Sequence, residues 1–122
     1  MSNPVTALNG ASESNGFAAI SELGPLGMIT LRGDLTSKPL IKAVVATGGV
    51  NMPGPRQVAT QGEHGIAWMS PDELLILSPY NEVQERVADL QEKLAKHHAL
   101  AVNVSDARAV FSIQGAKARE VV

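Results

Sequence analysis

Cysteine is absent from the 122 residues, and that absence removes disulfide scaffolds, thiolate metal centres and thiol catalysis together. Aromatics are scarce. Phe17, Phe111, Trp68 and Tyr80 are the whole supply, so a core must be built from Val, Leu, Ile, Ala and Met. No segment approaches the roughly 18 to 20 apolar residues of a membrane span. The polar, small-residue opening from Met1 to Gly16 lacks the apolar run and basic flank of a secretory signal. A cytoplasmic address is the default expectation. A net charge of −2 gives no electrostatic reason to expect nucleic acid or an anionic membrane as partner. What remains is globular in kind: 44% hydrophobic and 18% charged residues exclude a disordered chain. The length suits one domain able to bury a core unaided.

Along the chain, residues 1 to 15 are rich in Ser, Asn and Ala and read as a flexible arm. Residues 16 to 122 read as a single α+β domain. Met28, Ile29, Thr30 and Leu31 are good β-formers and predict a strand from Gly27 to Arg32, closed by Gly33-Asp34. Ser37 and Pro39 open a helix through Leu40, Ile41, Val44 and Val45, which Gly48-Gly49 ends. Asn51 to Gln57, with two prolines and a glycine, is a loop. Ser70-Pro71-Asp72-Glu73 satisfies both a helix start and a type I turn. The short apolar runs on either side, Ile66–Met69 and Leu74–Leu77, favour two strands joined by a turn.

Ser78 as cap and Pro79 as first residue then open an amphipathic helix with Tyr80, Val83, Val87, Leu90 and Leu94 on one face. Its other face carries Glu82 with Arg86, Asp89 with Lys93 and Glu92 with Lys96, each an acid four residues before a base. Leu100–Val104 and Ala109–Ile113 predict strands around a Ser105-Asp106 turn. Gly115 begins a helical stretch from Ala116 to Val122 with no capping glycine and no basic last turn, as if cut in mid-helix. Strand, helix, strand, strand, helix, strand is the split βαβ order of ferredoxin-like sheets with helices on one face.

Residues suited to chemistry are few and scattered. His97 and His98, adjacent at a helix C-terminus, would diverge by about 100° and serve the helix dipole rather than a metal. His64, in Gly62-Glu63-His64-Gly65, reads as a solvated loop residue without a ligand partner. The glycine-rich stretches Thr47–Val50 and Pro53–Pro55 match neither a dinucleotide fingerprint nor a phosphate loop, and no Gly-x-Ser-x-Gly elbow occurs. The acids are dispersed, so paired carboxylates have no support. RNA recognition on a ferredoxin-like sheet needs aromatics. Here the strands offer Met28, Leu31, Leu100, Val102 and Val104, which suit packing against a helix or another subunit. No catalytic, cofactor-binding or metal-binding residue is assigned.

Four stretches resemble the gamma-subunit family of heterotetrameric sarcosine oxidase: Leu26-Gly-Met-Ile-Thr-Leu-Arg-Gly-Asp-Leu35, Gly49-Val-Asn-Met-Pro53, Ala67-Trp-Met-Ser-Pro-Asp-Glu-Leu-Leu-Ile-Leu77, and Val102-Asn-Val-Ser-Asp-Ala-Arg-Ala-Val110 leading to Gly115. The third is the most specific. The fourth is similar to a segment of the glycine-cleavage T-protein fold. The resemblance spans about residues 16 to 122. It implies the first portion of a T-protein-like, folate-binding fold, and a chain truncated at its C-terminus, because family members continue further. It also implies an accessory, non-catalytic subunit serving assembly and stability of a complex that oxidatively demethylates sarcosine to glycine. The larger, flavin-carrying subunits would be its partners and would hold FAD, FMN, NAD and tetrahydrofolate.

Asn103 stands where T-protein-like relatives commonly have Asp, and no catalytic residue carries over. A folate-binding or aminomethyltransferase-like one-carbon protein is the alternative implied by the fourth stretch, and a generic interaction domain the third. As a subunit, the chain would place Met52, Pro53 and Trp68 near an interface, since Met and Trp are enriched there and Pro stiffens a docking loop. Trp68 equally suits a core position.

Overall fold

The computed structural model describes residue 6, residues 8–14 and residues 18–121. Positions 1–5, 7 and 15 of the expected arm lie outside the described residues. Its later part, Ser12–Ser14, is a strand (β1). The chain divides into two compact units, where the sequence suggests one domain from residue 16. One comprises the chain up to Leu26 together with Asp106 onward; the other is Gly27–Ser105.

In the first unit β1 pairs antiparallel with β2 (Ala19–Glu22), which pairs antiparallel with β8 (Phe111–Gln114). A short helix, α3 (Ala118–Val121), follows; it is briefer than the stretch expected from Ala116. The β2 residue Glu22 is buried, and its carboxylate accepts the backbone N–H groups of Leu8 and Gly10. Burial works to raise its pKa, but hydrogen bonds from Thr6, Gly10 and Leu8 outweigh that and hold it below the usual glutamate value.

The second unit is built on β3 (Leu26–Gly33), which lies between β6 (Glu73–Pro79) and β7 (Ala99–Asn103). Beyond β6 come β5 (His64–Ser70) and β4 (Val58–Gln61), giving the order β4-β5-β6-β3-β7. Helix α1 (Lys38–Gly48) joins β3 to the β4–β5–β6 meander, and α2 (Val83–Lys93) joins β6 to β7. Without β4 this is the ferredoxin-like order expected from the sequence. β4 is an addition at the edge.

Local chemistry explains each boundary. Asp34 Oδ1 accepts from both the N–H and the hydroxyl of Thr36, an Asx turn that reverses the chain after β3. Ser37 occupies the N-cap of α1 without a side-chain cap bond, and a proline stands in the first turn. Gly49, at φ 72, closes the helix by donating its N–H to Val45 O. The Pro71-Asp72 pair makes the tight turn between β5 and β6, with Ser70 paired to Glu73 across it.

The sequence reading placed the start of the second helix too early. Ser78 is not a cap: it is buried inside β6, with Pro79 as the last strand residue. A 3-10 turn over Tyr80–Glu82 then leads into α2.

Ile29 and Leu31 of β3, Ile66 of β5, Leu74 and Ile76 of β6 and Ala101 of β7 share one cluster with Leu40, Ala43 and Val44 of α1 and Val83, Val87, Leu90 and Leu94 around α2. Both helices therefore cover the same sheet face, as the split βαβ pattern requires. Inside this packing Thr47, 3% exposed, leaves its hydroxyl without a hydrogen-bond partner. A buried unpaired hydroxyl costs about 1–3 kcal/mol. Thr47→Val, which keeps the shape and removes the polar atom, is therefore expected to stabilise the protein by about 1 kcal/mol. A lowered urea midpoint would show that the hydroxyl is satisfied after all.

Candidate functional site

Residues alternate along a strand, so those between the core positions point away from the helices. They are Val58 of β4, Ala67 and Met69 of β5, Leu75 and Leu77 of β6, Met28, Thr30 and Arg32 of β3, and Leu100 and Val102 of β7; Met28 among them is buried. Registers confirm the row: Val58 lies opposite Ala67, Ala67 opposite Leu75, Thr30 opposite Val102 and Arg32 opposite Leu100. Val58, Met69, Leu100 and Val102 are 40–60% exposed. No helix of this unit covers that face. It is aliphatic, with one ion pair set into it, Arg32 Nη2 to Glu73 Oε1 at 2.7 Å.

This face bears on the interface expectation. Pro53 is buried, while Met52 and Trp68 are half-buried and packed against the core. Trp68 stands opposite Leu74 and so belongs to the helix-covered side. The exposed aliphatic residues are different ones. Of these, Leu100 and Val102 were singled out in the sequence as packing residues.

The histidines also differ from expectation. His97 and His98 lie beyond the end of α2, in the connection to β7, and both line one shallow cleft with Arg32, Gly33, Ala99 and Leu100. His64 is not a loop residue. It is the first residue of β5, and its Nε2 is 3.0 Å from Arg86 Nη2. A guanidinium can only donate, so this imidazole nitrogen accepts. Arg86 also donates to Glu82 Oε1 at 2.8 Å and to the backbone carbonyl of Thr47 near the C-terminus of α1. One side chain on α2 thereby ties together α1, β5 and the 3-10 turn that precedes its own helix. Sequence reasoning found the Glu82–Arg86 pair and, equally, Asp89–Lys93 at 3.0 Å. It missed His64 and Thr47, which are 22 and 39 residues from Arg86 in the chain.

The Arg86 hydrogen bond is the main reason the Glu82 carboxyl sits below the usual glutamate range. Burial opposes it, and the charge of Arg86 assists. A carboxylate depressed in the folded state contributes stability that is present above its unfolded value of about 4.3 and is lost as pH falls through the folded value. Arg86→Met is therefore expected to flatten the acid limb of a stability-against-pH curve below about pH 5. Urea midpoints from neutral pH to pH 3 check this. An acid limb unchanged by the substitution would show that Glu82 does not depend on Arg86.

The segment after β7 is a third polar arrangement. Asn103 Oδ1 accepts the Ser105 N–H at 3.0 Å and the Ser105 hydroxyl at 2.6 Å. Ser105 Oγ accepts the Met28 N–H at 2.8 Å. These bonds fix the turn against β3. Among the described residues no three His, Cys, Asp or Glu side chains form a group that could hold a metal. No helix of the described residues is long and apolar enough to cross a membrane.

Comparisons with known proteins agree with this architecture. The model of the sarcosine oxidase, gamma subunit family matches residues 32–122. Heterotetrameric sarcosine oxidase from Corynebacterium sp. U-96, solved in complex with pyrrole 2-carboxylate, is similar at a TM-score of 0.71 and 25% identity, over 89% of this chain and 56% of that one. Glycine cleavage system aminomethyltransferase T from Bartonella henselae is similar in fold, with a TM-score of 0.58 at 10% identity, over 82% of this chain and 29% of that one. The fold is thus T-protein-like, and the chain spans little more than half the length of the sarcosine oxidase chain it matches. No curated protein sequence matches significantly.

Proposed function

The chain belongs to the sarcosine oxidase, gamma subunit family, and we propose that it serves as a non-catalytic subunit of a heterotetrameric sarcosine oxidase complex. In this reading the larger subunits carry FAD, FMN, NAD and tetrahydrofolate and oxidatively demethylate sarcosine to glycine. This chain contributes assembly and stability.

The observation that carries the reading is the unequal treatment of the two sheet faces. One is closed by α1 and α2 over a continuous aliphatic core. The other presents Val58, Met69, Leu100 and Val102 to solvent. Exposed aliphatic side chains set around an ion pair are the ordinary makeup of a surface that another protein covers. The likeness to a heterotetrameric enzyme supplies the kind of partner.

Co-expression with the larger subunits should return a complex that stays together through gel filtration, with the larger subunits melting higher than when made alone. Elution of this chain by itself under gentle conditions would sink the reading. Titration with tetrahydrofolate addresses the one-carbon alternative. The polar groups of Asn103 and Ser105 are already engaged in holding the turn against β3, so no thermal shift is expected at saturating ligand.

A further inference from the structure

We infer that the β7 end of the open sheet face is the docking surface for a larger subunit, and that it takes an aliphatic segment carrying a carboxylate. The inference rests on the accessory-subunit reading and deepens it. Three observations select the occupant's chemistry.

The first is apolar. Leu100 and Val102 stand side by side on β7, two residues apart on the face that no helix of this unit covers, and both are exposed. An aliphatic partner gains from covering them.

The second is polar and adjacent. Arg32, opposite Leu100 in register, lines the same cleft as His97 and His98. An imidazole presents at least one N–H whatever its protonation state, and a guanidinium presents five. Neither imidazole hydrogen-bonds to another side chain among the described residues, and no acid lines the cleft. Glu73 engages Arg32 through Nη2, and the rest of the fork remains for a second acceptor. A cluster of donors beside an aliphatic pair fits a carboxylate on an aliphatic segment and disfavours a basic one.

The third fixes how the segment lies. β7 is an edge strand, which could recruit a further strand by backbone pairing. Gln91 of α2 blunts that edge by donating its side-chain amide to Ala101 O at 3.0 Å. The partner therefore crosses the face rather than extending the sheet.

The test uses the whole chain and the larger subunits of the same organism's sarcosine oxidase, immobilised for binding measurements. Leu100→Asp and Val102→Asp are each expected to weaken binding by about tenfold or more. Arg32→Gln is expected to weaken it about fivefold and to remove most of its salt dependence. Lys42→Glu, on the exposed side of α1, should leave affinity unchanged. Thermal midpoints close to the parent's establish that the variants fold. Should Leu100→Asp fail that check, Leu100→Gln replaces it.

If the parent chain does not bind, the accessory-subunit reading falls and takes this inference with it. If the parent binds and the face variants bind equally well, the docking surface alone is wrong. A dimer of this chain that Leu100→Asp dissolves would also overturn it, because the occupant would then be a second copy.

Discussion

Replacing Leu31 by Ala is expected to remove about 2–5 kcal/mol of stability, whereas Leu100→Ala should change it by less than about 0.5 kcal/mol. The two leucines are on neighbouring strands, β3 and β7, but on opposite faces of the sheet. Leu31 is fully buried among residues of both helices and four strands. Removing three of its carbons leaves a hole that the surrounding aliphatics can fill only in part, so the lost transfer energy and the cavity add. With whole-domain stabilities of about 5–15 kcal/mol, the loss is a large share of the total. Leu100 is 60% exposed, and its truncation leaves no cavity. Urea unfolding of both proteins checks the pair. Similar losses for the two, or a larger loss at Leu100, would mean that the helices cover the other face.

That contrast marks where sequence reading succeeds and where it stops. The strand at Met28–Leu31, the helix ended by Gly48-Gly49 and the hairpin turned at Pro71-Asp72 were all legible, because each is signalled within a few residues. The split βαβ order followed from them. β4 was not legible: Val-Ala-Thr-Gln is short and half polar, and it is a strand because β5 offers it an edge. β2 depends on a partner still more remote, since Ala19 pairs with Gln114.

The site divides in the same way. Alternation placed Leu100 and Val102 on a common face, but nothing local reveals which face the helices take. Met52, Pro53 and Trp68 attracted attention by residue type, whereas burial is decided by register, and Trp68 opposite Leu74 faces inward. His64 resembles a loop residue until α2 brings Arg86 against it.

The misplaced helix start has a specific cause, and it yields the second large effect: Gly27→Ala is expected to destabilise the protein by about 1–3 kcal/mol or more. Ser78-Pro79 reads as cap and first turn, yet the chain stays in β6 through Pro79 because β3 lies close alongside. A Cβ on Gly27 would sit 2.6 Å from Ser78 Oγ, 2.8 Å from Ser78 O and 2.9 Å from Pro79 O. The hydroxyl could rotate away. The two carbonyls belong to the backbone, and moving them means separating β3 from β6 at the point where β6 gives way to the 3-10 turn. Glycine is needed here for closeness, since its φ is not in the left-handed region.

Gly24→Ala is the control. A Cβ there meets nothing within 4 Å, and the backbone carries no positive φ. That substitution should be neutral or should stabilise by about 0.4–1 kcal/mol through the unfolded chain. Thermal unfolding of the two variants side by side decides the matter. Equal midpoints would mean that Ser78 and Pro79 do not press on β3, and that the late start of α2 has another origin.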